Sequence, residues 1–143
     1  MTSSTQILEP GIALLRLEQP GRRNALSLSA MQAVHAQLEA LLAEPSLRVL
    51  IVTGQGAAFC AGLDLNSVLN AEAGFDASVR EAMALQHAFA GLVQRLRASD
   101  AAVIAAVNGP AVGAGMGLAL AADIRFAAPQ AQFHVGAVKV GLT

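Results

Sequence analysis

The chain has no tryptophan or tyrosine, one cysteine and three histidines, and only 13% of its residues are charged. A lone Cys60 excludes an internal disulfide, and His35, His87 and His134 are too scattered to read as a metal cluster. Aromatics make up 3%, and the net charge of −1 includes no basic run, so neither a stacking platform nor an electrostatic footprint for nucleic acid is present. The opening MTSSTQ lacks the basic and apolar regions of a secretory leader, so the expected location is cytoplasmic. No repeat of solenoid period, low-complexity tract or linker interrupts the 143 residues, which read as one domain or part of one.

What is present is apolar: 55% of the residues, chiefly Ala, Leu and Val, a composition that suits a well-buried α/β core. The stretch from Asp100 to Asp123 has no charge between its two aspartates. It reads as a buried strand (Val103 to Val107), a turn through Asn108-Gly109-Pro110, the glycines Gly113, Gly115 and Gly117, and an apolar helix closing at Ala122. A membrane span needs ~20 apolar residues, and Asn108-Gly109-Pro110 would break one near its middle, so no membrane crossing is expected. A dinucleotide fingerprint, which would imply a nicotinamide-binding domain, fits Gly113 and Gly115 but meets Leu118 at its third glycine and has no acidic residue at the expected distance. Two readings remain. One is a purely structural glycine turn. The other is a backbone anion hole at a helix N-terminus, which needs a second donor from elsewhere.

Taken in order, the chain predicts a hairpin around Pro10-Gly11 and a polar loop at Arg22 to Ser27. A helix follows, capped by Ser27 or Ser29, with Met31, Val34, Leu38, Leu41 and Leu42 at helical spacing. Val49-Leu50-Ile51-Val52 reads as a strand buried on both faces. The glycine-rich run Thr53 to Leu65 follows it directly and is where a second donor could lie. A long helix over roughly 78–98 is predicted from a Ser78/Glu81 capping box, with Met83, His87, Phe89, Leu92, Val93 and Leu96 on its buried face. Short strands are expected at Ile124 to Ala127 and Phe133 to Val135. Strand, glycine loop and helix thus occur twice, an α/β arrangement.

Four segments carry a resemblance: Arg23-Asn24-Ala25-Leu26-Ser27; Phe59-Cys60-Ala61-Gly62-Leu63-Asp64-Leu65; Ala105 through Gly115; and Ala122-Asp123-Ile124-Arg125-Phe126-Ala127. In this order the chain resembles the enoyl-CoA hydratase/isomerase (crotonase) superfamily over nearly its whole length. The resemblance implies a fold of crotonase-like ββα repeats, the ClpP/crotonase spiral, and a lyase or isomerase of fatty acid metabolism acting on acyl-CoA. Coenzyme A is then part of the substrate, and no separate cofactor is implied. Carried over by position, the backbone N–H groups of Leu63 and Ala114 form the oxyanion hole for a thioester enolate. Substrate contacts fall on Arg23, Ala25, Leu26, Ala61, Gly62, Asp64, Leu65, Val112, Gly113 and Gly117. Arg22 and Arg23 could meet CoA phosphates or be ordinary solvated loop charge.

The chain departs from the family twice. The two glutamates that hydratases use fall at Gly117 and near Ala137, neither of which can exchange a proton. His134 is the nearest replacement. Asp64, Asp123, Lys139 and Cys60 read more readily as structural or solvated. Family domains are also longer, which implies the N-terminal part of a domain whose C-terminal helices, and the trimers or hexamers they build, are missing here. A non-catalytic acyl-CoA-binding or assembly remnant is the alternative to an enzyme.

Overall fold

The computed structural model describes residues 2–64 and 75–136. β1 (Ser3–Glu9) and β2 (Ile12–Leu17) form the expected hairpin, turning at Pro10-Gly11 with Gly11 at φ +83°. A short 3-10 turn at Pro20–Arg22 leads to α1 (Leu28–Leu42), where the Ser27 side chain accepts the Ala30 N–H and so caps the helix. β3 (Val49–Gly54), α2 (Phe75–Arg97), β4 (Ala102–Val107), β5 (Ala111–Val112), α3 (Ala114–Ala121), β6 (Ile124–Ala127) and β7 (Phe133–His134) follow. The main sheet has the order β1-β2-β3-β4-β6, and only the first pair is antiparallel. β5 and β7 pair separately, and isolated bridges join Cys60 to Ala111 and Leu26 to Leu63. Each main-sheet strand from β3 on thus hands over to a short strand or bridge in a second layer, the ββα repeat that the resemblance implies.

The core lies on one face of the main sheet. Leu15, Leu17, Leu50, Val52, Val103, Ala105 and Val107 cluster with Met31, Leu38, Leu85, Leu92 and Leu118 from the helices. Buried and half-buried residues therefore alternate along β3 and β4. The expectation that β3 is buried on both faces is corrected: Leu50 and Val52 are buried while Val49 and Ile51 are half-buried, because α1 and α2 cover one side only. α2 also differs from its prediction. It begins at Phe75, so Ser78 lies inside it and is not its cap. Its buried face runs through Leu85, Leu92 and Leu96, with Phe89 and Val93 packed against the core, whereas Met83 and His87 are exposed. Leu85, Phe89, Leu92 and Leu96 keep the three-and-four spacing of one helical stripe, and Met83, two residues before Leu85, falls off it. No described helix is long and apolar enough to cross a membrane.

Candidate active site

Both glycine turns leave the C-terminal ends of parallel strands, Gly54 to Asp64 after β3 and Asn108 to Gly113 after β4. This is the end of an open α/β sheet where ligands bind. A cleft of about 550 Å³ lined by Ile7, Pro10, Gln37, Leu41 and Ser46 lies at the opposite end, beside the hairpin turn.

The absence of side chains brings the two turns together. A Cβ on Gly115 would overlap the Cys60 carbonyl oxygen, and one on Gly109 would overlap that of Ala57. A Cβ on Gly62 would lie 2.6 Å from the Val112 carbonyl oxygen and 3.4 Å from the Ala114 nitrogen. Gly62 also has a φ of +93°, in the region that favours glycine. Ala61 N–H donates to Arg23 O (2.9 Å) and Asp64 N–H to Leu26 O (2.9 Å), while Leu26 N–H donates to Gly62 O (2.8 Å). Leu63 sits opposite Leu26 in this parallel pairing, so its own N–H points away from that segment, to the side of Val112 to Ala114. Across the gap, Gly113 (φ 52°, ψ −114°) is the N-cap of α3 and Ala114 its first residue. An N–H at that position has no intrahelical partner. Two main-chain donors thus flank one backbone junction, and neither depends on its own side chain.

Two asparagines fix the loop that carries Leu63. Asn24, buried and at φ 57°, donates from Nδ2 to the carbonyls of Gln55 (3.0 Å), Ala58 (2.9 Å) and Phe59 (3.3 Å). Its Oδ1 accepts the Gln19 N–H at 2.8 Å. Asn108 donates to Gly56 O (2.8 Å) and Ala58 O (3.3 Å) and accepts the Gly54 N–H at 3.1 Å. Carbonyls that the glycine-rich turn would otherwise leave unpaired are thereby satisfied from both sides. Both asparagines lie inside the segments that carry the resemblance, and local pattern alone does not give them this role. Their signal was an Asn beside each glycine turn, since Asn tolerates positive φ and bonds nearby backbone.

Arg23 is exposed at φ 50°, and its carbonyl, not its guanidinium, contacts the loop. Arg22 pairs with the buried Asp64 at 2.6 Å, which gives both a partner inside the protein. Leu26 is buried, while Ala25, Ala61 and Leu63 are half-buried beside it. Val112 N–H donates to Cys60 O (2.9 Å). Asp123 makes the fixed backbone bonds expected of it, accepting Val103 N–H on Oδ2 at 2.8 Å. Burial pushes the Cys60 thiol up to about 12, and its Sγ–H donates to Asn24 O at 3.1 Å, the behaviour of a packing residue and not a nucleophile. His134 reaches the site through its backbone: its carbonyl accepts Gly113 N–H at 2.9 Å. Its ring is exposed, with Nε2 3.1 Å from Gln132 Oε1. Leu65, Ala137 and Lys139 lie outside the described residues. Gly117 sits against the ring of Phe89, a neighbour that the sequence did not foretell.

The family model described as "Enoyl-CoA hydratase/isomerase" matches residues 8–143. The chain is 40% identical over 131 residues to "Probable enoyl-CoA hydratase EchA14" of Mycobacterium tuberculosis, covering 92% of this chain and 49% of that one. Solved structures agree. The human "enoyl Coenzyme A hydratase domain-containing protein 3" superimposes with a TM-score of 0.88 at 30% identity, over 99% of this chain and 54% of that one. The enoyl-CoA hydratase of Bacillus anthracis gives 0.78 at 31% identity, over 93% and 50%. The chain spans about half the length of the curated relatives it matches.

Proposed function

The chain belongs to the enoyl-CoA hydratase/isomerase family, and from that premise we propose that it binds an acyl-CoA thioester and holds the thioester oxygen between the N–H groups of Leu63 and Ala114. The observation that supports this reading is the junction of the two glycine turns, where Gly62 and Gly115 let the main chains approach, the Leu63 N–H is turned away from Leu26 and the Ala114 N–H is the first of α3. Fixed backbone dipoles of this kind favour the enolate over the neutral thioester, because charge grows on the oxygen as the α-proton leaves. The donors need no reorganisation, since Asn24 and Asn108 already hold the loop. Arg23, Ala25, Leu26, Ala61, Gly62, Asp64, Leu65, Val112, Gly113 and Gly117 are the proposed surroundings of the acyl-CoA. No nucleic acid or metal has a role in this reading.

The proton chemistry differs from two-glutamate hydration. Gly117 has no side chain and Ala137 no titratable group, so crotonyl-CoA hydration by that route is not expected. His134 is the candidate base, since its backbone is tied to Gly113 and its ring is exposed beside the site. The same two positions favour a second reading, a non-catalytic acyl-CoA binder or assembly remnant of the fold.

Exchange of the butyryl-CoA α-proton into solvent, followed by NMR, tests the proposal. Ala114→Gly keeps the donor and retains exchange. Ala114→Pro deletes it and lowers exchange by about 100- to 1000-fold, the usual cost of losing one oxyanion donor. Equal rates in wild type and a folded Ala114→Pro variant would remove Ala114 from the mechanism. Binding of butyryl-CoA with no exchange in wild type favours the binder.

A further inference from the structure

Among the side chains described on the buried stripe of α2, Phe89 is the one aromatic, and it does not pack as its neighbours do. Leu85, Leu92 and Leu96 are at most 5% exposed, whereas Phe89 is only half-buried. The ring reaches α3 end-on. A Cβ built on Gly117 would lie 2.7 Å from Phe89 Cζ, 3.3 Å from Cε1 and 3.8 Å from Cε2. The ring tip therefore takes the volume that any side chain at position 117 would need. Gly117 follows Ala114 by three residues, about 4.5 Å along the same side of the helix. Phe89, Leu63 and Ala114 are all half-buried apolar residues resting on the core. The wall one turn beyond the Ala114 N–H is thus hydrocarbon.

We propose that Phe89 is a specificity-determining residue, which makes the site select acyl-CoA thioesters with plain hydrocarbon next to the carbonyl over those bearing a 3-hydroxyl. The inference rests on the acyl-CoA reading above and adds the substrate class. On that reading, an acyl chain whose thioester oxygen meets Leu63 and Ala114 would have its C3 beside Gly117 and the Phe89 ring, which lie one turn along α3 from Ala114. A methylene there is desolvated against the ring at no polar cost. A hydroxyl there loses water and finds no donor or acceptor on either Phe89 or Gly117, which is unfavourable for any buried polar group.

The test is calorimetric binding of CoA, butyryl-CoA and 3-hydroxybutyryl-CoA to the 143-residue chain and to Phe89→Ala, Phe89→Leu and Gly117→Ala. Wild type should prefer butyryl-CoA over its 3-hydroxy analogue by about 10- to 100-fold, the range in which an apolar pocket rejects an added hydroxyl. Phe89→Ala should bring that ratio close to one and leave CoA affinity unchanged, while Phe89→Leu keeps most of the preference. Gly117→Ala adds a methyl to the same wall and brings no polar partner, so it should keep the preference for butyryl-CoA. A ratio near one in wild type, or an unchanged ratio in folded Phe89→Ala, overturns the assignment while leaving the CoA reading intact. Failure to bind CoA and both thioesters overturns the acyl-CoA reading itself.

Discussion

The junction of the two glycine turns and the segment from β6 to β7 stand next to each other and are built on opposite terms. At the junction the main chain is held closely: Asn24 and Asn108 hold the Gly54 to Phe59 loop, and Gly62, Gly109 and Gly115 let backbone press on backbone. At β6–β7 the side chains lie open, with Ile124 48%, Phe126 65%, Phe133 42% and Val135 62% exposed. The proposed oxyanion donors sit in the first region and the candidate base His134 in the second. The comparison teaches that the part of the proposed chemistry that needs only peptide geometry is pre-organised, while the part that needs a side chain borders an uncovered apolar surface.

The largest effect expected from breaking this contrast comes from Gly115→Ala. Its methyl would overlap the Cys60 carbonyl oxygen, and both partners are main chain, so a loss of about 3 kcal/mol or more should appear in the urea midpoint. Asn24→Ala should cost about 2–3 kcal/mol, because carbonyls of the loop and the Gln19 N–H lose a buried partner together. Asn108→Ala should cost less, as one of its bonds is exposed. Gly91→Ala sharpens the point from the other side: a Cβ there meets nothing within 4 Å, so replacing a mid-helix glycine should raise stability by about 0.5–1 kcal/mol. In the open region, Phe126→Gln should change stability by less than about 0.5 kcal/mol, while light scattering from concentrated protein falls because an apolar patch is reduced.

The smallest effect belongs to the exposed pair between α1 and α2. The Arg95 guanidinium donates to Glu39 at 2.6 Å and holds its carboxyl below the ordinary 4.5, aided by the Arg95 and His35 charges. A depressed carboxyl stabilises the fold above its unfolded pKa and loses that contribution as pH falls through the folded one. Glu39→Gln should therefore flatten the acid limb of a stability-pH curve slightly and leave β6–β7 untouched.

The strand-turn-helix order, a serine cap at Ser27 or Ser29, the hairpin and the structural reading of Asp123 are legible in the sequence, because each rests on local pattern: apolar period, turn residues, a short polar side chain. β3 was misjudged because a continuous apolar run reports hydrophobicity and not how many faces are covered. The start of α2 was misjudged because a capping box is a local motif that also occurs inside helices. The asparagine clamps and the Phe89–Gly117 contact were out of reach for a different reason. Asn24 meets Ala58 across 34 residues and Phe89 meets Gly117 from another helix, so neither partner leaves a mark on the other's local pattern. Arg22 was read as a candidate phosphate ligand, and its ion pair with Asp64 is likewise a long-range fact.

The central claim is that the Leu63 and Ala114 N–H groups grip a thioester oxygen. The direct measurement is an amide NMR titration of the chain labelled with 15N at leucine and alanine, first with CoA and then with butyryl-CoA. The account predicts that the Leu63 and Ala114 amide protons move downfield with butyryl-CoA and not with CoA, because only the thioester presents the oxygen they bind. Saturation by butyryl-CoA with both amides left where CoA leaves them would contradict it.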